Sequence, residues 1–579
     1  MTLTVRPPQI FYVDGGIGVS GDGKSWGSAF KTVQEAVAAS VAISANASAE
    51  IWVKTGTYPV GSSAAALKMS WQVQLYGGFA GTEISREQRD WVNNVTTFIS
   101  AGHGVMIEDS GAYSRGYGGS LLDGFTISGA SQNGYSVYQA APLIRNCIFS
   151  GAASGVEIGQ YASPTFQGCT FRNLTNIPVR ANGESLVLDN CTFQNNANNT
   201  GTVVVSAGKT VITGSQFTGN SGGPVLSFTG STAANVTISR SKFTGNATLY
   251  DLISVYPKIS LSIDNSLIAD NQTVQGSVVQ CEGPQVQINY CTIANNRHQA
   301  SAIGVGRASQ TSVKYSILWG NRNTRPLVER LQQGVTDLKT SQVCVLPYAS
   351  GATVNVFRGI LEGVEDSYTN ENYGYNPLFA DAEAGDYSLG SNSPAIGRGV
   401  SGDAAAFGTL DLAGAPRRFP STGGLPDAGA YEYQSAPSAT LQIYGDYSPR
   451  RVIVGTTTVF TFMGPNEPVQ WQVDKGDGNG FVALSNGSGV AIQTGNPKKL
   501  TLSNVGLSMS GYKYRFVMSG GHPYTSPPST LTVVAKPIRY VNPLATGLGN
   551  GTSWANAYPA LLTALSDISS SNLNGNPET

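Results

Sequence analysis

The sequence predicts an all-β solenoid, a stack of parallel coils, and three observations carry that expectation. A nine-residue phrase recurs nine times between Leu121 and Leu318, centred on Phe125, Cys147, Cys169, Cys191, Ser215, Ser241, Ser266, Cys291 and Ser316. The intervals of 22 to 26 residues are too short for an ankyrin or tetratricopeptide unit. The residues three before and two after each centre, from Leu122 and Ile127 to Val313 and Leu318, are all apolar. Five after the last six centres stand Asn196, Asn220, Asn246, Asn271, Asn296 and Asn321.

The phrase has strand chemistry, β-branched and aromatic residues in short alternating runs. Coils stacked as parallel strands about 4.8 Å apart bring matching positions into columns. The apolar columns fill the interior, and the small Cys or Ser column fits where the chain bends inward. An Asn at the same bend of successive coils can pass its amide from coil to coil and satisfy backbone groups that a tight turn leaves unpaired. The in-phase columns resemble the right-handed parallel β-helix of pectate lyases, tailspikes and many bacterial surface proteins.

Taken in order, Phe11-Tyr12-Val13-Asp14 reads as a strand and Trp26 to Ile43 as an amphipathic helix that caps the open end of the stack. Ile51-Trp52-Val53, Trp71 to Phe79 and Thr97-Phe98-Ile99 supply early coils. The segment Tyr76 to Glu83, with Arg86 and Arg89-Asp90, resembles the opening of secreted β-helix proteins related to polymorphic outer-membrane proteins. After Leu318 an excursion is expected inside one coil, before Val356 to Leu361 repeats the phrase with Gly359 as centre.

The series Asn376-Pro377-Leu378-Phe379, Asp386 to Leu389, Ser393 to Ile396, Asp411 to Gly414 with Arg417, and Asp427 to Glu432 is similar to the terminal segment of the choice-of-anchor Q family of bacterial surface proteins. That resemblance implies secretion and cell-surface attachment. Residues 436–536 resemble an immunoglobulin-like sandwich, with Trp471 as core tryptophan, Tyr514 as corner tyrosine and Phe516 where a disulfide cysteine often sits. Tyr540-Val541-Asn542 and Gly549 to Trp554 match Tyr12-Val13-Asp14 and Gly21 to Trp26 at one offset of 528, so residues 537–579 read as the truncated start of a second β-helix. The expected domains are therefore 1–435, 436–536 and 537–579.

Charged residues make up only 12% of the 579, and the net charge is -1 with no basic run, which argues against nucleic acid or anionic membrane as partner. No run of 18 apolar residues suggests a membrane span. Met1 to Arg6 lacks the charged start and apolar run of a signal peptide, so secretion would need a signal already removed or another route. Four of the six cysteines share the column that Ser takes elsewhere, so they are expected as buried filler rather than disulfides, with Cys281 and Cys344 unmated.

Motif matches resolve mostly into structure. Gly16-Ile17-Gly18-Val19-Ser20-Gly21 fits a dinucleotide fingerprint, but its copy at residues 544–549 loses two of the three glycines. Gly219-Asn220-Ser221-Gly222-Gly223 fits a nucleophile elbow, yet Asn220 belongs to the ladder. Gly208-Lys209-Thr210 lacks the first glycine of a phosphate loop. Asn246-Ala247-Thr248 matches a glycosylation triplet only because Asn246 is a ladder residue. His103, His298 and His522 stand isolated from other ligand residues. Asp474, Asp477 and Asn479 could hold Ca²⁺, but a hairpin tip is the expected reading.

In the outward column two before each centre, Asp123, Asp189 and Asp264 fall three coils apart, roughly 14 Å, beyond the spacing of a glycosidase pair. Acids from other faces, such as Asp251 and Asp270, could still converge. No catalytic residue, metal ligand or cofactor is assigned. The expected function is a non-enzymatic bacterial surface rod acting in adhesion, cell-cell contact or envelope structure. Surface glycans, other cell-surface proteins and further modules of the same chain are its expected partners. The alternative is a polysaccharide lyase, glycosidase or glycan-binding rod, with Tyr135, Tyr138, Tyr161 and Tyr250 as stacking platforms.

Overall fold

A computed structural model describes residues 9–43, 49–61, 65–70, 73–100, 104–110, 119–206, 208–230, 233–306, 309–323, 343–345, 353–361, 372, 376–391, 393–399, 408–419, 424–435, 444–445, 450–463, 468–493, 498–519, 524–535, 538–561 and 563–564. The first part winds as a right-handed parallel β-helix. Sheet I has 13 strands, from Gln9–Val13 and Ala49–Lys54 to Thr353–Phe357. Sheet II has 12, from Gly56–Val60 to Ile360–Leu361. Sheet III has 11, from Leu67–Met69 to Val343–Val345. A narrow sheet IV of 6 two-residue strands, Ala197–Asn198 to Arg322–Asn323, lies in the chain between II and III.

Register follows the phrase. Leu188 pairs with Ile212, Ile212 with Ile238 and Ile238 with Ile263 in sheet I, while Phe193, Phe217 and Phe243 pair in sheet II. The Phe149, Phe171, Phe193, Phe217 and Phe243 rings stack with centroids 4.6–4.8 Å apart and planes within 4° of parallel. This spacing is the strand spacing itself, so the rings stack because the backbones do. Val356 and Leu361 extend both columns, which places Gly359 as a further centre. The excursion falls between Arg322–Asn323 and Val343–Val345, inside one coil as expected, and its own residues 324–342 lie outside the described ones.

Two bends per coil require left-handed backbone. The residue before each centre has positive φ, at Gly124, Asn146, Gly168, Asn190, Gly214, Arg240, Asn265, Tyr290, Tyr315 and Arg358. Four after each of the nine phrase centres φ is positive again, from Gly129 and Gly151 to Asn295 and Gly320. Gly and Asn dominate both columns because they adopt this region at least cost.

The expected cap helix is shorter than Trp26 to Ile43. Trp26–Ser28 forms a single 3-10 turn and the helix proper is Val33–Val41. Thr32 sets its start, since its Oγ1 accepts the Glu35 amide while the Glu35 carboxylate accepts the Thr32 amide. Val33, Ala36 and Val37 join the core formed by Phe11, Val13, Leu67 and Val73. The Glu83 carboxylate accepts the amides of Ala80, Gly81 and Thr82, and its carbonyl accepts the Trp26 indole N–H at 3.0 Å. The motif around Glu83 thus fastens a loop beside the outward aromatic cluster of Trp52, Tyr76 and Phe79.

The described residues within 376–435 do not add a coil. They lie against the outer face of sheet II, where Leu389, Ala395 and Ala428 pack on Ile317 and Ile360, and Tyr387 packs on Leu267, Ala269 and Ala294. The strap also meets the bend column, for Arg417 lies over the Tyr290 ring at 4.5 Å and the Gly429 amide donates to Tyr315 O.

Beyond it lie two separate sheets with antiparallel pairing, apart from one parallel pair, Arg450–Ile453 with Ser529–Val534. Trp471, Tyr514 and Phe516 are buried together with Phe460 and Phe462. The Asp474–Gly480 loop joins the antiparallel strands Val469–Asp474 and Val482–Ala483 as a hairpin tip, and the Asp474 and Asp477 carboxylates accept the Gly476 and Asn479 amides.

Residues 540–558 repeat most of the backbone hydrogen bonds of the N-terminal loop over Tyr12 to Phe30. Tyr12 N–H donates to Gly23 O and Phe30 N–H to Tyr12 O; Tyr540 N–H donates to Gly551 O and Tyr558 N–H to Tyr540 O. The Tyr12–Trp26 rings meet edge-on at 4.8 Å and the Tyr540–Trp554 rings at 5.0 Å.

Candidate functional site

The predicted Asn column is an unbroken ladder. The Nδ2 of Asn196, Asn220, Asn246, Asn271 and Asn296 each donates at 2.8–2.9 Å to Oδ1 of the next, ending on Asn321. Each Oδ1 also accepts the backbone amide of the preceding Asn, and each Nδ2 also donates to a carbonyl one coil back, as Asn246 does to Phe217 O at 2.9 Å. Leu174, which precedes the ladder in the stack, gives its amide to Asn196 Oδ1. All six asparagines are buried. Every bond they make runs between coils, so the ladder is a structural device.

The column of centres works by a second bonding scheme. Ser215, Ser241 and Ser316 hydroxyls accept the amides of Cys191, Ser215 and Cys291 at 3.1–3.2 Å, and donate to the carbonyl two residues back in their own coil. Cys147, Cys169, Cys191 and Cys291 direct their thiols both at a carbonyl of the preceding coil and at the carbonyl two residues back in their own. All four are buried free thiols, as is Cys281, and burial pushes the Cys281 thiol up to about 12 and that of Cys291 higher still. Nothing about this environment favours a reactive thiolate.

Register keeps the sheet I acids apart as expected, three strands from Asp123 to Asp189 and three more to Asp264. Asp123 is spent on Arg89 and Arg145 at 2.5 Å each, and Asp264 on Asn289 at 2.8 Å. Asp270 and Asp251 are each engaged in a hydrogen bond, and the Glu282 charge also acts on Asp251. Asp270 accepts the Tyr387 hydroxyl of the strap, and Asp251 accepts the Ser277 amide, with burial raising its carboxyl to about 6. Ser221 lies in a sheet IV strand beside Ala197 and Ala247. His298 is fully buried, while His103 and His522 lie outside the described residues. Among the described residues no three His, Cys, Asp or Glu side chains form a group that could hold a metal. Of the four tyrosines, Tyr135 is buried and bonded to Asp109, whereas Tyr138, Tyr161 and Tyr250 are exposed.

Two groupings were not anticipated. In the strap, Arg417 is buried among Asp411, Asp427 and Glu432. Its Nη2 donates to Gly429 O, and Nη1 stands 4.0 Å from Glu432. The carboxylates serve the backbone: Glu432 accepts the Phe419 and Asp427 amides, Asp427 those of Gly397 and Tyr433, and Asp411 those of Ala415 and Glu432. Burial raises Asp427 to about 6 and, together with the neighbouring Asp427 charge, Glu432 to about 8. This is a closed latch rather than an open groove.

The second grouping is partly open to solvent, with Ser136 buried and its charged neighbours half-buried to exposed. On the outward side of sheet III, register places Lys68, Glu108, Ser136, Glu157 and Arg180 in one column. Lys68 pairs with Glu108 at 2.5 Å and Arg180 with Glu157 at 3.5 Å, which leaves two carboxylates flanking Ser136. Burial is the main reason the Tyr138 phenol is raised, and the Glu157 and Glu108 charges add to it.

The family model described as right handed beta helix region matches residues 80–243 and again residues 179–343. The matched stretch is the stack that carries the ladders. No curated protein matches the chain. Two solved structures, one of the titin M10–obscurin-like 1 Ig complex and one of a mutant form of it, are 18% and 17% identical. Each covers 16% of this chain and 96% or 95% of its own, with a TM-score of 0.14, a likeness too slight to bear on the fold.

Proposed function

We propose that the chain is a non-enzymatic, extracellular bacterial rod protein acting in adhesion, cell-cell contact or envelope structure. Its units are a β-helix over residues 1–435, an immunoglobulin-like spacer over 436–536 and the opening of a second β-helix over 537–579. The observation that carries this reading is the second cap, whose hydrogen bonds repeat most of those of Tyr12 to Phe30 at Tyr540 to Tyr558. A chain that starts the same cap twice is organised as tandem modules, and its ladders invest side chains in axial continuity. The resemblance to secreted β-helix and choice-of-anchor Q proteins supports the extracellular setting.

Antibodies against residues 1–435 should label intact producing cells; label that appears only after permeabilisation overturns the extracellular reading. Purified chain incubated with acidic and neutral polysaccharides should release neither unsaturated products nor new reducing ends, and turnover would overturn the non-enzymatic one. A glycan-contacting role is the second reading, favoured specifically by the Tyr138, Glu108 and Glu157 face.

A further inference from the structure

We propose that the sheet III face around Tyr138, Glu108 and Glu157 is a binding subsite for a neutral oligosaccharide. The charges along the column run Lys68, Glu108, Ser136, Glu157, Arg180, so the carboxylates face each other across a neutral rung instead of alternating with cations. Each carboxylate has its cation on the far side, Lys68 at 2.5 Å and Arg180 at 3.5 Å, so no cation stands between the two. The sheet I column differs, for there Arg145 meets Asp123, Thr213 meets Ser239 and Asn289 meets Asp264.

The aromatic half of the subsite is built as well. Tyr138 points outward two residues beyond Ser136 and is 43% exposed. A β-carbon at Gly159 would lie 2.1 Å from its ring, so the ring lies down over the next coil only because glycine stands there. Gly159 is not in the left-handed region, so the backbone does not demand glycine; the ring does. A flat phenol face takes the C–H face of a pyranose, and carboxylates two rungs apart, about 9.6 Å between backbones, can accept hydroxyls from either side of it. Both carboxylates repel a uronate, which selects a neutral chain over an acidic one.

This inference deepens the glycan-contacting reading and fails separately from the scaffold reading, since binding without turnover is compatible with a rod. The test is affinity electrophoresis of the full chain through gels holding hydroxyethylcellulose, galactomannan or xylan, with polygalacturonate as the acidic comparison. Retardation is expected in at least one neutral gel and not in polygalacturonate. Tyr138→Ala should weaken it about tenfold, Gly159→Ala and Glu157→Gln should weaken it several-fold, and Tyr138→Phe, which keeps the ring, should retain it. These positions lie on the surface or at the strand end, so an unchanged melting transition certifies each variant as folded. Free migration in every neutral gel, stronger retardation by polygalacturonate, or retardation that survives Tyr138→Ala overturns the proposal.

Discussion

At Asn246 four backbone and side-chain hydrogen bonds meet in one amide. Its Oδ1 accepts from Asn220 N–H and Asn220 Nδ2, and its Nδ2 donates to Phe217 O and to Asn271. Asn246→Ala strands two donors and a carbonyl in a dry interior, each costing about 1–3 kcal/mol. A loss of about 3 kcal/mol or more is expected, read by hydrogen exchange as lost protection at Asn220 and the coils beside it. The centre column should behave differently. Ser215→Cys copies what four other coils already contain and should change stability by less than about 1 kcal/mol, whereas Ser215→Val leaves the Cys191 amide unpaired and should cost about 1–3 kcal/mol in a melting experiment. Gly245 isolates the conformational part. Its φ is +64° and a β-carbon there would meet nothing within 4 Å, so Gly245→Ala should cost about 1–2 kcal/mol from backbone preference alone.

The strap is the element whose hold on the molecule depends on pH. Asp427 and Glu432 have carboxyls raised by burial to about 6 and about 8 when docked, above the ordinary range they regain once released. The docked form therefore binds more protons, and its stability falls as pH rises between the free and docked values, from about 4 to about 8. Limited proteolysis within residues 376–435 should accelerate over that window, and Glu432→Gln should flatten its upper part; a rate independent of pH would show that the carboxyls stay ionised in place.

The strap was also the least legible element. Its resemblance to a surface-protein segment was visible, but its seat was not, although a signal exists. Outward positions of sheet II read Thr192, Gln194, Gln216, Thr218, Lys242 and Thr244 in the earlier coils, then Leu267, Ala269, Ala294, Ile317 and Trp319, with Thr292 among them, where the strap packs. That switch identifies a covered face once the outward phase is followed coil by coil. The centres, the apolar columns and the Asn ladder were readable because identical positions repeat in phase. The sheet III charge column was not, because the stretch between sheets II and III varies in length and holds its residues out of any fixed spacing.

For the whole molecule, contacts run mostly between neighbouring coils, so unfolding should not be a single event. Denaturant titration of the full chain should give at least two transitions, one from the buried aromatic group around Trp471 and Phe516 and one or more from the stack. Coincident transitions by tryptophan fluorescence and circular dichroism would contradict this. The Asn ladder carries a further consequence. Because Asn220, Asn246 and Asn271 present the same bonding faces upward and downward, one whole coil can be duplicated or excised and the neighbours will close over the change. Genetic insertion or loss of some 25 residues then alters reach by about 4.8 Å without inventing an interface, which makes this architecture a ruler that evolution can recalibrate one notch at a time.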